Sequence, residues 1–291
     1  MSDIRTTSAS VLTGRRFRLG ESPFYIPETG IFSWVDILDG KFYLMTPSGD
    51  ISCHDAGQQI GALVPATGDG RYIVAGKAGL YLFDNGDITP YLALGEHFRS
   101  YQRSNDSKAD PMGRLWFGSS VDDDAYPESG NLFRYDGMSV KIMQPDTLIS
   151  NGMAWNSRRD RFYFSDSSYH AVFSYDYDNE TGDISGRRVL FEVTNGVPDG
   201  MTIDSDDNLW VAIWGGRRIE KRDSVSGELL EIISVDAQNV TSCCFYGDNM
   251  DKLFITTSGE GLEGANDGKL FTCNTTSRGL FPDRALLYNH N

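Results

Sequence analysis

Four oxygen-bearing side chains stand at matching distances ahead of a recurring hydrophobic run. Glu21 lies 10 residues before Ile31, Asn105 lies 10 before Leu115, Asn151 lies 11 before Phe162 and Asp199 lies 10 before Leu209. Two further runs, beginning at Tyr72 and Leu253, carry Gly61 or Ala62 and Ser242 or Cys243 at that offset. Two carboxylates and two carboxamides brought to one point offer hard oxygen donors. Such a set suits a divalent cation whose remaining positions are filled by water. Taken singly, each of the four is also a residue type common in turns that lead into strands; the shared offset is what favours a common site. Gly152 and Gly200 directly follow Asn151 and Asp199 and allow close backbone approach and unusual dihedrals there.

Other chemistries find little support. The histidines, His54, His97, His170 and His290, include no pair with metal-ligand spacing, and the Gly-x-Ser-x-Gly pattern of a serine hydrolase is absent. His170, beside Tyr169, reads as a strand or loop residue. Residues 204–208 imitate the opening of a calcium loop but lack the following Gly and the distant Glu, so a β-turn is expected. The glycine-rich stretch 258–268 lacks the Lys-Ser/Thr of a phosphate-binding loop and reads as a blade loop near the site mouth. Cys53, Cys243, Cys244 and Cys273 form no Cys-x-x-Cys, which argues against a zinc or disulfide framework and fits a reducing cytoplasm.

The elements that must position the four oxygens follow from the runs themselves. Anchored on Ile31, Tyr72, Leu115, Phe162, Leu209 and Leu253, they recur at intervals of 41, 43, 47, 47 and 44 residues. Each is a short, aromatic-rich strand entered from a turn and followed by a second strand, as at 79–83 and 171–175. Helical periodicity is nearly absent. A period of about 40 to 50 residues built from short strands predicts an all-β, six-bladed β-propeller. The alternative is a pair of β-sandwiches, against which the even period argues. No linker interrupts the series, so residues 1–291 are expected to form a single propeller domain. The residues before Glu21 would supply a strand that closes the ring against the last blade. In a propeller the innermost strands line one central channel, so equivalent positions converge. Trp34, Trp116 and Trp210 fall at nearly equivalent positions and are expected in the core, as are Trp155 and Trp214.

Composition narrows the partners. Lys plus Arg number 26 against 41 Asp plus Glu, for a formal charge of −15. Phosphate binding needs clustered basic residues, so nucleic acid is not an expected partner. No apolar run approaches the ~18 residues of a membrane span, and the first residues form no apolar signal core. Membrane association is therefore not expected, the cytoplasm is the expected compartment, and the sequons at Asn105, Asn239 and Asn274 read as chance. Oligomeric state is left open.

The motifs Gly20-Glu21-Ser22-Pro23, Asn105-Asp106, Asp110-Pro111-Met112-Gly113-Arg114-Leu115-Trp116, Ser150-Asn151-Gly152-Met153 and Pro198-Asp199-Gly200-Met201, in that order, resemble those of the regucalcin/gluconolactonase family of sugar lactonases. The resemblance covers nearly the whole chain. It implies a six-bladed propeller that binds one divalent metal ion (Ca, Zn, Mn, Mg or Fe(II)) and hydrolyses aldonolactones, its small-molecule partner being a sugar lactone. It maps the metal ligands to Glu21, Asn151 and Asp199, with Asp199 also the catalytic base. It maps the substrate-binding residues to Arg103, Asn105 and Asp123, the last within an acidic run, 122–124, that also reads as a solvated loop. Some family members carry Glu at that position, one methylene longer. Two other functions fit the same fold: hydrolysis of other esters or organophosphates, and non-catalytic calcium binding. The Arg103, Asn105 and acidic-loop set favours a polyhydroxylated substrate, and retention of Asp199 favours catalysis.

Overall fold

A computed structural model of the chain describes residues 4–121 and 130–288. Its strands form six sheets, antiparallel but for one added edge strand, arranged as the blades of a β-propeller, and the described residues contain no α-helix. The innermost strands of blades one to six are Gly20–Ile26, Ile60–Pro65, Gln102–Ala109, Ser150–Trp155, Val197–Ile203 and Asn239–Tyr246. Each blade runs outward from its innermost strand in chain order, except that blades five and six add an outermost strand from residues 5–11.

The second strand of each blade explains why the repeat is legible. Leu209–Trp214 is buried at every position but the last, and Arg161–Asp166 at every position but the first. A strand covered on both faces by neighbouring blades reads as one continuous apolar run rather than an alternation. The outermost strand Ile184–Glu192 is exposed along most of its length and carries no such signal. The core lies between blades. Trp34, Trp116 and Trp210 are fully buried, and Trp155 packs edge-on against Trp116 and beside Phe162.

Two repeats share one turn device. Asp110 accepts from the backbone N–H groups of Met112 and Arg114 and from the indole of Trp116; Asp204 does the same for Asp206, Asn208 and Trp210. The 204–208 segment is thus a side-chain-capped turn.

The ends of the chain tie the ring together. Ser10–Val11 pairs antiparallel with Phe271–Asn274, giving blade six its fourth strand, while Arg5–Ser8 lies parallel on Leu229–Ser234 at the edge of blade five. Residues 275–288 cross the face opposite the starts of the innermost strands. They bond to the turns of four blades: Ser205 N–H to Arg278 O, Gly279 N–H to Met250 O, Ala285 N–H to Pro65 O and Leu286 N–H to Gly113 O. No helix among the described residues is long and apolar enough to cross a membrane.

Candidate active site

All six innermost strands break register near the same repeat position: between Glu21 and Phe24, Ile60 and Ala62, Ser104 and Ser107, Ser150 and Met153, Pro198 and Met201, and Val240 and Ser242. A bulge leaves a residue out of the ladder and re-aims its side chain. In blades one, three, four and five the residues at this irregularity include Glu21, Asn105, Asn151 and Asp199. Beside Glu21 the bend takes Ser22 into the left-handed region, at φ 49°. Gly152 and Gly200 keep ordinary φ, so the unusual dihedrals expected there are not found. Their role is space. A Cβ on Gly152 would sit 2.5 Å from Met201 N, and one on Gly200 would sit 2.0 Å from Ser242 Oγ.

The five predicted site residues within the described chain line one pocket of about 250 Å3, formed by Glu21, Arg103, Asn105, Asn151 and Asp199 with Ser120 and Ser167. Asp123 lies outside the described residues. Leu19, Ile37, Val121, Ile149, Val197 and Trp214 add an apolar wall. Trp214, expected in the core, instead lines the pocket from the end of its strand, beside the short turn at Gly215 and Gly216.

Glu21 is 4% exposed and Asp199 5%. Among the described residues neither carboxylate forms an ion pair. Glu21 Oε2 accepts from Ser22 N–H, and Asp199 from the backbone of Gly200. Enclosure raises both well above the usual carboxylate range. The charge of Asp199 adds to the rise at Glu21, and the charge of Asp106 to the rise at both. Two enclosed carboxylates, both raised by burial and by the charge of Asp106, call for protons or a cation. With the amide oxygen of Asn151 they form a hard-oxygen set with positions to spare, which fits a divalent ion.

A polar chain crosses three blades. Arg103 Nη1 donates to Asn105 Oδ1 at 2.6 Å, Asn105 Nδ2 donates to Asn151 Oδ1 at 2.6 Å and to Ser150 O at 2.7 Å, and Asn151 Nδ2 donates to Ser167 Oγ at 2.6 Å. Ser167 Oγ donates to Pro198 O at 2.7 Å, and Ser165 Oγ to Asp199 O at 2.6 Å.

Two channel residues escaped the sequence reading. Asp106 is pushed up to about 6 by burial, against the opposing charges of Lys108 and Arg103. Lys108 is lowered by burial, and its Nζ donates to Met153 O at 2.9 Å and Met201 O at 3.0 Å, bridging blades three, four and five. A lysine in an innermost strand, two residues from an aspartate, was the available signal. Lys108 also lines a second cavity of about 210 Å3 with Trp155, Asp283 and Phe281, beneath the C-terminal crossing.

Comparison with known proteins gives this arrangement relatives. The pentonolactonase XacC of Haloferax volcanii is 33% identical over 280 residues, covering 90% of this chain and 92% of that protein. Regucalcin of Danio rerio is 30% identical over 258 residues, covering 84% of each. The crystal structure of a calcium-binding protein, regucalcin, from Agrobacterium tumefaciens shares the fold, with a TM-score of 0.90 at 24% identity over 99% of this chain and 100% of that one. Residues 19–259, from just before Glu21 to the end of the last inner blade strands, match the family model of the SMP-30/gluconolactonase/LRE-like region, and the chain belongs to that family.

Proposed function

We propose that this protein is a divalent-metal-dependent hydrolase that opens sugar lactones, aldonolactones in particular, to aldonic acids. The observation that carries the proposal is the pairing of two enclosed carboxylates, unpaired with any cation among the described residues, with a polar wall in one pocket of sugar size. Family membership and the likeness to a protein named pentonolactonase support it. Glu21, Asn151 and Asp199 would hold the ion, which supplies Lewis acidity toward a carbonyl and toward water. Calcium, zinc, manganese, magnesium and ferrous iron all accept these donors.

The residues divide the remaining work. Asp199 orients the attacking water and takes its proton on a carboxylate oxygen. Hydroxide adds to the carbonyl carbon, the ring C–O bond breaks, and the ring oxygen leaves with the proton that Asp199 took, which restores the carboxylate. Arg103 brings positive charge to the polar wall, fixed through Asn105. Asn105 faces the hydroxyl-bearing side, and Asp123 accepts from hydroxyls there. Trp214 offers its ring to the apolar side of the sugar. The four unpaired thiols, with Cys53 on the surface, suit work in a reducing cytoplasm.

The test is proton release from glucono-, xylono-, arabino- and galactonolactone and from γ-butyrolactone, with and without chelator. Hydroxylated lactones should react at least about tenfold faster than butyrolactone, because a site built for hydroxyls leaves its polar groups unpaired without them. Chelation should abolish turnover and added ion restore it. Equal rates across the panel, or indifference to chelator, would overturn the proposal.

A further inference from the structure

Each amide in the chain from Arg103 to Pro198 has two possible orientations, and its ends decide between them. A guanidinium only donates and a prolyl carbonyl only accepts. Arg103 Nη1 therefore requires oxygen at the facing end of Asn105, which places Nδ2 against Asn151 Oδ1. At the far end the Ser167 hydroxyl has given its proton to Pro198 O, so toward Asn151 it can only accept, and it takes Nδ2. Both halves of the chain demand the same orientation of Asn151.

Ser167 is unusually well anchored for this task. It opens the 3-10 turn Ser167–Tyr169, whose cap Asp166 accepts from the backbone of Leu148, Ile149 and Ser168. Its own N–H donates to Ile149 O and its carbonyl accepts from His170 N–H. It is 5% exposed, so water has little access to replace it.

From this geometry we propose that Ser167 is a positioning residue: it locks the side-chain amide of Asn151 so that the oxygen, and never the NH2, is offered to the divalent ion. The proposal rests on the metal-site reading above. An amide oxygen carries two lone pairs, and Asn105 uses one, so one stays available for a cation. A flipped amide would turn two N–H groups toward the positive charge. Ser167 lines the pocket, but its hydroxyl is taken up by Asn151 and Pro198; toward the ion it acts through Asn151, as the outer partners of metal ligands do.

The experiment is calorimetric titration of the chelator-stripped full chain with calcium and with manganese, beside a thermal melt of each protein. Ser167→Ala should weaken ion binding about 10- to 100-fold, while Ser167→Thr, which keeps the hydroxyl, should stay within about threefold of wild type. The separating measurement is a double-mutant cycle. Asn151→Asp presents oxygen in either orientation, so adding Ser167→Ala to it should cost less than about threefold. Wild-type affinity in Ser167→Ala, or an equal loss in both backgrounds, would overturn the inference. The second result would mark Ser167 as a purely structural residue. A Ser167→Ala chain that does not fold is replaced by Ser167→Cys, whose thiol fills the volume but bonds weakly, and the same outcomes apply. A wild-type chain that takes up neither of these ions, nor zinc, magnesium or ferrous iron in the same titration, sinks the metal-site reading and this inference together. A wild-type chain that binds, beside an indifferent Ser167 variant, sinks this inference alone.

Discussion

In the proposed mechanism Asp199 carries a double burden, as an ion ligand and as the group that receives a proton. Asp199→Asn keeps the volume but removes one charge and the base. Turnover should fall about 10²- to 10⁴-fold, the range of a positioned general base. The metal-free fold should not suffer, because the change relieves an enclosed charge next to Glu21 and Asp106. Rates on a sugar lactone and melting in chelator measure both effects; near-wild-type turnover would remove Asp199 from the chemistry. At this scale legibility depended on repetition. Glu21, Asn105, Asn151 and Asp199 could be read because four blades carry them at one offset. Ser167 could not, because it comes from the far end of a second strand and no other blade repeats its task. Asp106 and Lys108 were hidden by the bulge between Ser104 and Ser107, which changes the side-chain alternation at the point where it had to be counted.

The innermost strands owe their arrangement to contact between backbones. Gly152 lies where a Cβ would meet Met201 N at 2.5 Å and Asp199 O at 2.7 Å. Neither atom belongs to a flexible side chain, so the blades themselves would have to separate. Gly152→Ala should cost about 1–3 kcal/mol, as overpacking does, and it should weaken ion binding by moving Asn151 away from Asp199. Gly14 has nothing within 4 Å of a built Cβ and ordinary φ. Gly14→Ala is the control and should shift stability by less than about 0.5 kcal/mol. Urea midpoints of both variants test this, and an unchanged midpoint for Gly152→Ala would refute close approach as that glycine's purpose. The second strands were plain in the sequence because burial on both faces makes them uniformly apolar. The bulges were not, since each is a slip in the pairing with the next strand of its own blade, which leaves no apolar run or period to read.

For the molecule as a whole, the enclosed acids tie stability to pH. Glu21 and Asp199 are raised well above, and Asp106 to about 6, in the folded metal-free protein. A carboxyl raised on folding adds stability that is complete below its unfolded value, about 4, and is lost as pH rises through its folded value. The chelated protein should therefore melt at a lower temperature at pH 8 than at pH 5. A saturating divalent ion should close most of that gap, because it stabilises most where the carboxylates are charged. Melting curves in chelator and in calcium at both values decide it; a chelated protein equally stable at pH 5 and 8 would contradict the enclosure of these groups. The sixfold plan was legible because its period survives any local ambiguity. The crossing by residues 275–288 was not, because it bonds to turns through its backbone and so leaves neither period nor alternation in its side chains.

The pairing of Ser10–Val11 with Phe271–Asn274 also sets an order in time. On the ribosome, Val11 emerges long before Phe271. At ordinary elongation rates the interval is on the order of 10–50 s, during which the early strand has no partner and blade one has no neighbour on its open side. Five blades can stack as they appear, but the ring is completed by the segment that was made first and is placed last. A nascent chain stalled before residue 271 is therefore an open arc with two apolar flanks, the form in which chaperones would hold it.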